Sequence, residues 1–420
     1  MHSVRTKSSA RVRSNISSAG SRFGSMKLVA AITRGALTLV VLSALLLIAL
    51  RPAQAQTETV LYNFKSGSDG AVPQDLTSDG VGNFYGTTRL GGGTGDGGYG
   101  YGTVFELSPN GNGGWNETVL YSFTGGVDGG SPTSNVIFDN VGNLYGTAFT
   151  GGDGNGLGLA FELSPVGANW TETVLYSFAG EMDSGDPVSG PIMDAAGNLY
   201  GTTLEGFVFE LSPSDGGWTE QAIYAFANPS DAGLAMDAAG NIFGVTSSTV
   251  FELSPNGNGG WNSTVIHTFT GAPKDGSAPQ GALVLDQAGN LYGTTTGGGT
   301  KNSGTVFKLS PEKKGKWREK VLHSFGAGKD GSDPWAGIVL DAAGDIYGTT
   351  AQGGESGVGT VYELAAQAGK SWYKEKVLWS FNSADGNLPN SLVLDSAGNL
   401  YGTTSGGGSN GWGVVFEVTP

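Results

Sequence analysis

From residue 57 onward the chain is built of short apolar and polar alternations separated by glycine and asparagine. NLYGTT at 399–404 and TVFELSP at 103–109 alternate with a period of two, which predicts half-buried β-strands. LVLD at 283–286 is a short apolar run, as expected of a strand covered on both faces. The glycine that follows these aspartates favours a positive φ, and the aspartate can bond backbone N–H groups, so a tight turn is expected between LVLD and NLYGTT.

The pattern repeats. D-x-x-G-[ND]-[LIF]-[YF]-G begins at Asp79, Asp139, Asp194, Asp237, Asp286, Asp341 and Asp395, seven copies spaced 60, 55, 43, 49, 55 and 54 residues apart. ETVLYSF and its variants start at Glu58, Glu117, Glu172, Glu220, Ser263, Glu319 and Glu375, and TVFELSP-like phrases keep step with them. Seven four-stranded units of about 50 residues predict an all-β, seven-bladed β-propeller. A stacked solenoid would need atypical capping repeats, and none is visible. LVLD is expected innermost because it is short and free of bulky aromatics, with NLYGTT, TVFELSP and ETVLYSF following outward. The chain then starts with an outermost strand, 58–64, and ends after a third strand, 414–420. The N-terminal strand should therefore join the last blade, closing the ring and removing an exposed edge.

Composition agrees: 74 of 420 residues are glycine, which excludes a helical fold. No cysteine is present, so disulfides, thiol nucleophiles and thiolate metal sites are excluded. Residues 1–55 differ from the rest, with eight basic residues, no acid, and an apolar run from Ala36 to Leu50 followed by Pro52, Ala53, Gln54 and Ala55. That arrangement predicts a signal peptide cleaved after Ala55, with Met26 as an alternative start, leaving 56–420 as a single secreted or periplasmic propeller domain. The run is shorter than the roughly 20 residues that span a bilayer, so no membrane span is expected in the mature chain. Without residues 1–55, 14 basic residues face 37 acidic ones, which argues against nucleic acid as a partner. Eleven of those 14 lie between Lys301 and Lys376.

ETVLYSFTGGVDGGSP at 117–132, DNVGNLYGT at 139–147 and AFELSP at 160–165 resemble the repeat of the bacterial GloVer tandem-repeat proteins. The resemblance covers about 57–420 and implies secretion, often with a C-terminal sorting anchor; no apolar segment follows the last repeat here. It supplies no catalytic residues. D-x-x-G-N-L-Y-G-T is more distantly similar to the blades of sensor and NHL-type propellers.

The loops from strand 4 to 1 and from 2 to 3 should share one face. Asp69, Asp128, Asp183, Asp275, Asp330 and Asp385 recur there in D-G-type loops, with Asp231 in a diverged context. A carboxylate ring near the channel would suit Ca²⁺. The alternative, that each aspartate shapes its own turn, is preferred because a fold requirement explains repetition in every copy. The Asp79 to Asp395 series is read as turn caps on the opposite face. Gly92 to Gly97 is a single calcium-nonapeptide-like copy, a weak signal, and no glycine-rich loop continues into a Walker motif. His267 and His323 replace a packing tyrosine or tryptophan of the outer strand, and Trp115, Trp170, Trp218, Trp261, Trp317 and Trp372 are read as packing residues before it.

Aromatics outside the repeat are better ligand candidates: Trp335, Trp412, Tyr99 and Tyr101, in the loops of blades 6, 7 and 1, with short loops at 204–206 and 247–248 opposite. They can stack on sugar rings or anchor a partner. The expectation is a secreted, monomeric binding or scaffold module for an extracellular glycan or protein, without a cofactor. A polysaccharide-active lyase or hydrolase is the alternative, although Glu205 and Glu355, the glutamates of these glycine-rich loops, have no neighbour that marks an acid–base pair.

Overall fold

Alternation and glycine placement produce seven sheets, each of four antiparallel strands. The structure is a computed structural model describing residues 56–93, 99–153, 155–180, 185–226, 232–326, 328–370 and 372–420. The segment expected to be a signal peptide lies outside these residues. Among the described residues there is one 3₁₀ turn, Gly328–Asp330, and no α-helix. The blades are numbered here by their innermost strands, Ala71–Ser78, Ile137–Phe138, Ile192–Met193, Ala235–Met236, Gly276–Leu285, Val339–Leu340 and Asn387–Leu394. The LVLD phrase is innermost and ETVLYSF outermost in every blade, as expected. Its run is less covered than its composition suggests, with Leu283 buried but Val284 and Leu285 half-buried.

The ring closes as the repeat phase requires. Thr57–Asn63 pairs antiparallel with Val414–Thr419, Glu58 opposite Val418 and Val60 opposite Phe416. The outermost strand is thus supplied by the opposite end of the chain, and blade 7 leaves no unpaired third strand.

The glycine of L-Y-G-T is a packing residue. A Cβ on Gly86 would lie 2.7 Å from Cζ of Phe105, whose ring is fully buried. The outer-strand phenylalanine of the preceding blade meets that ring edge-on, as in Phe64 against Phe105 at 5.2 Å and Phe178 against Phe209 at 5.1 Å. Blade-to-blade docking therefore rests on repeated aromatic pairs. Each Asp of the D-x-x-G series caps its turn: Asp139 Oδ1 accepts the N–H groups of Val141 and Asn143, both at 2.9 Å. These bonds hold its carboxyl below the usual range despite the opposing effect of burial.

Candidate functional site

Threonines of the second strand tie six of the blades to the next around the axis, with Val245 in their place in blade 4. Thr87 donates to Ser134 O, Thr147 to Ser189 O, Thr294 to Ala336 O and Thr403 to Gln74 O, at 2.6 to 3.1 Å. Asn390 adds bonds from its Nδ2 to Pro73 O at 2.9 Å and Thr403 Oγ1 at 2.8 Å. These contacts hold the innermost strands around a cavity of about 700 Å³ lined by all seven blades.

The position four residues before the turn aspartate lines this cavity in every blade: Asp75, Asn135, Gly190, Gly233, Ala282, Gly337 and Ser391. Five blades therefore contribute small residues, and blade 1 contributes a carboxylate. Asp75 is partly open to the cavity, and its Oδ1 accepts the Ser391 N–H at 2.8 Å. Burial pushes its pKa up, and the hydrogen bonding from Ser391 only partly offsets this. Arg89, exposed at the end of the second strand of blade 1, also lines the cavity, where the matching positions are Phe149 in blade 2, Leu204 in blade 3 and Ser405 in blade 7. Gln74, Gln280 and Asn390 add amides, and Trp335 adds an aromatic whose Nε1–H donates to Pro389 O at 2.9 Å. Amides, hydroxyls, an indole, a carboxylate and a guanidinium make this cavity suited to a small polar ligand such as a sugar.

Asp75 and Arg89 escape a reading based on repetition because repetition identifies fold requirements. Their signal is the reverse: a charge in one copy where the other six copies have none.

Loops from strand 4 to 1 and from 2 to 3 do share a face, through bonds such as Gly92 N–H to Gly67 O and Gly152 N–H to Gly126 O, both 2.9 Å. In blades 3 and 4 the second and third strands join by tight turns, with Thr203 N–H on Phe207 O and Thr246 N–H on Thr249 O, so the rim is low there.

The Asp-Gly series does not gather at the axis, and none of its described members lines the cavity. Asp69 accepts from Tyr62 Oη at 2.9 Å, Lys65 N at 3.0 Å and Gly67 N at 3.3 Å. Asp128 does the same with Tyr121 and Thr124, Asp275 with Thr270 and Gly276, Asp330 with Gly326, and Asp385 with Asn382. Asp183 and Asp231 lie outside the described residues, as does most of Gly92 to Gly97. Among the described residues no three His, Asp or Glu side chains cluster to hold a metal ion. His267 and His323 pack edge-on against Phe269 and Phe325, with Nε2 3.5 Å from Asp275 and 3.8 Å from Asp330.

The four aromatic candidates separate into three locations. Trp335 lines the cavity. Tyr99 stands edge-on to Trp412 at 6.3 Å, joining the rims of blades 1 and 7. Tyr101 covers the following loop, where a Cβ on Gly125 would collide with its ring. Trp372, expected to pack, is instead 53% exposed: Tyr373 opposes Ala366, the place that Trp115 takes opposite Pro109 and Trp317 opposite Pro311.

No helix of the described residues is long and apolar enough to cross a membrane. No curated protein matches the chain. Among solved structures, the extracellular domain of a hybrid two-component system from B. thetaiotaomicron is similar at TM-score 0.52 and 14% identity, over 87% of this chain and 41% of that one. The match thus spans about two fifths of that protein's chain. A Lactobacillus plantarum protein follows at 0.51 and 12% identity, over 72% and 84% of the two chains. A gluconolactonase from Xanthomonas campestris is similar at 0.43 and 11%, over 86% and 89%. At such identities the likeness is one of fold. The Gloeobacter/Verrucomicrobia repeat matches residues 46–249 and 232–420, spanning all seven blades, and the chain belongs to that repeat family.

Proposed function

We propose that this propeller is an extracytoplasmic binding module that takes the end of a glycan, or a similarly polar small group, into the axial cavity. The observation that carries the reading is the asymmetry of that cavity: Asp75 and Arg89 come from one blade, and Trp335 and several amides surround the same volume. The Tyr99–Trp412 pair at the rim would extend the surface beyond the cavity. The basic, acid-free N-terminal segment supports export. Binding is tested by screening the purified protein on a glycan array with and without Ca²⁺, then repeating with Asp75→Asn and Trp335→Ala. Each variant should weaken capture about tenfold or more while the fold persists. Parent-like binding by both variants would refute the site.

A second reading, catalysis on a polysaccharide, is favoured by the raised pKa of Asp75, which suits a proton donor. Glycosidases generally need a second carboxylate, and among the described residues Asp75 is the one carboxylate lining the cavity. Binding therefore stands first; glycan turnover that Asp75→Asn abolishes would reverse the order.

A further inference from the structure

Blades 5 and 6 break the repeat on their outer strands. The residue before the outer-strand glutamate is Thr57, Asn116, Thr171, Thr219 and, before Ser263 in blade 4, Asn262, but it is Arg318 in blade 5 and Lys374 in blade 6. The residue after it is Thr59, Thr118, Thr173, Gln221 and Thr264, but Lys320 and Lys376 in blades 5 and 6. All four basic residues are exposed, as is Lys316. Arg318 lies 3.2 Å from Glu312 and Lys376 3.9 Å from Glu363, whereas Lys316, Lys320 and Lys374 have no ion-pair partner among the described residues. In blade 5, Lys308 stands directly opposite Lys320, where the other six blades have glutamate on the third strand. Lys308 is held by Asp286 at 3.8 Å and lies over the Tyr292 ring, so the Lys320 opposite it is a further cation that the strand pairing does not neutralise.

The exposed Trp372 joins the same surface. It directly precedes the outer strand of blade 6, one residue before Tyr373 and two before Lys374. Its indole is free of the packing role its repeat counterparts have.

We propose that this outer face of blades 5 and 6 is a second binding site, for an acidic polysaccharide, with Trp372 stacking on a sugar ring and the lysines and arginine meeting carboxylates or sulfates. A single strand of nucleic acid is held by several aromatics that stack successive bases, whereas this surface presents one exposed aromatic among the described residues, Trp372. Trp372 supplies the flat apolar surface that a sugar face needs.

The purified protein would be titrated with heparin, polygalacturonate, a neutral glucan and single-stranded DNA over a range of salt. Heparin or polygalacturonate should bind at low salt and be released as salt rises, and an excess of the neutral glucan should not displace them. The triple variant K316Q/K320Q/K374Q places uncharged side chains where other blades carry uncharged ones, so it should fold; it should lower affinity about tenfold or more and flatten the salt dependence. Trp372→Ala should weaken binding with the salt slope unchanged. Asp75→Asn should leave this binding intact, which separates the site from the axial cavity. Failure of both acidic glycans to bind, unchanged affinity in either variant, or DNA binding as tightly as the glycans would overturn the proposal.

Discussion

Stability should rise as the pH is lowered from 8 to 5.5, the direction in which an acidic chain also loses self-repulsion. The perturbation acts on the outer-strand glutamates, each placed beside the carboxylate of the loop that enters its own blade. Burial first, and the facing aspartate second, push Glu58 beside Asp385, Glu117 beside Asp69, Glu172 beside Asp128 and Glu319 beside Asp275 up from 4.5 to about 7. Glu117 is also faced by the Tyr62 hydroxyl and by Lys65, which pull the other way. A carboxyl whose pKa is raised on folding binds its proton more tightly in the native state. Its penalty is absent below the unfolded pKa and complete above the folded one. After screening of half-exposed side chains, about 1 kcal/mol per group is reasonable, so the four cost about 4 kcal/mol at pH 8. Roughly 2 kcal/mol of this should be recovered by pH 5.5, because the unfolded carboxyls are still mostly ionised there. His323, whose pKa burial lowers, opposes the trend as a single group. Urea midpoints at the two pH values measure the effect, and Glu117→Gln should raise stability at pH 8 by about 1 kcal/mol while flattening the profile. An equal or higher midpoint at pH 8 than at pH 5.5 in the parent would refute the reasoning.

Other outcomes follow from the ring. A chain starting at Asn83 lacks the strand that closes blade 7, and calorimetry should show loss of a single cooperative transition. Gly86→Ala should cost about 1–3 kcal/mol through collision with Phe105, whereas Gly216→Ala, at a site with open space, should be nearly neutral in the same denaturation assay. Ca²⁺ should leave the melting temperature unchanged, since the loop aspartates already accept hydrogen bonds from their own turns; a clear rise would establish a site among them.

Much of the architecture is local information repeated seven times. D-x-x-G-N-L-Y-G encodes a turn, a strand and the small residue that lets Phe105 or Phe161 fill the blade interface, so strand order and ring closure were legible from phase alone. The aromatic candidates were found as departures from the repeat, yet their distribution was not legible: Trp335 reaches the axis, while Tyr99 and Trp412 meet at the rim. Trp372 shows why. One position of offset transfers the packing role to Tyr373 and exposes the tryptophan, because successive side chains of a strand point to opposite faces. Asp75 makes the same point at the axis. Its residue type and position were present in the sequence, but its chemical setting arises where seven distant segments converge and Ser391, 316 residues away, donates to it. The chain by itself determined the blade and its number of copies; tertiary structure decided which departures from the repeat share a cavity, because that depends on closure of the ring around its axis.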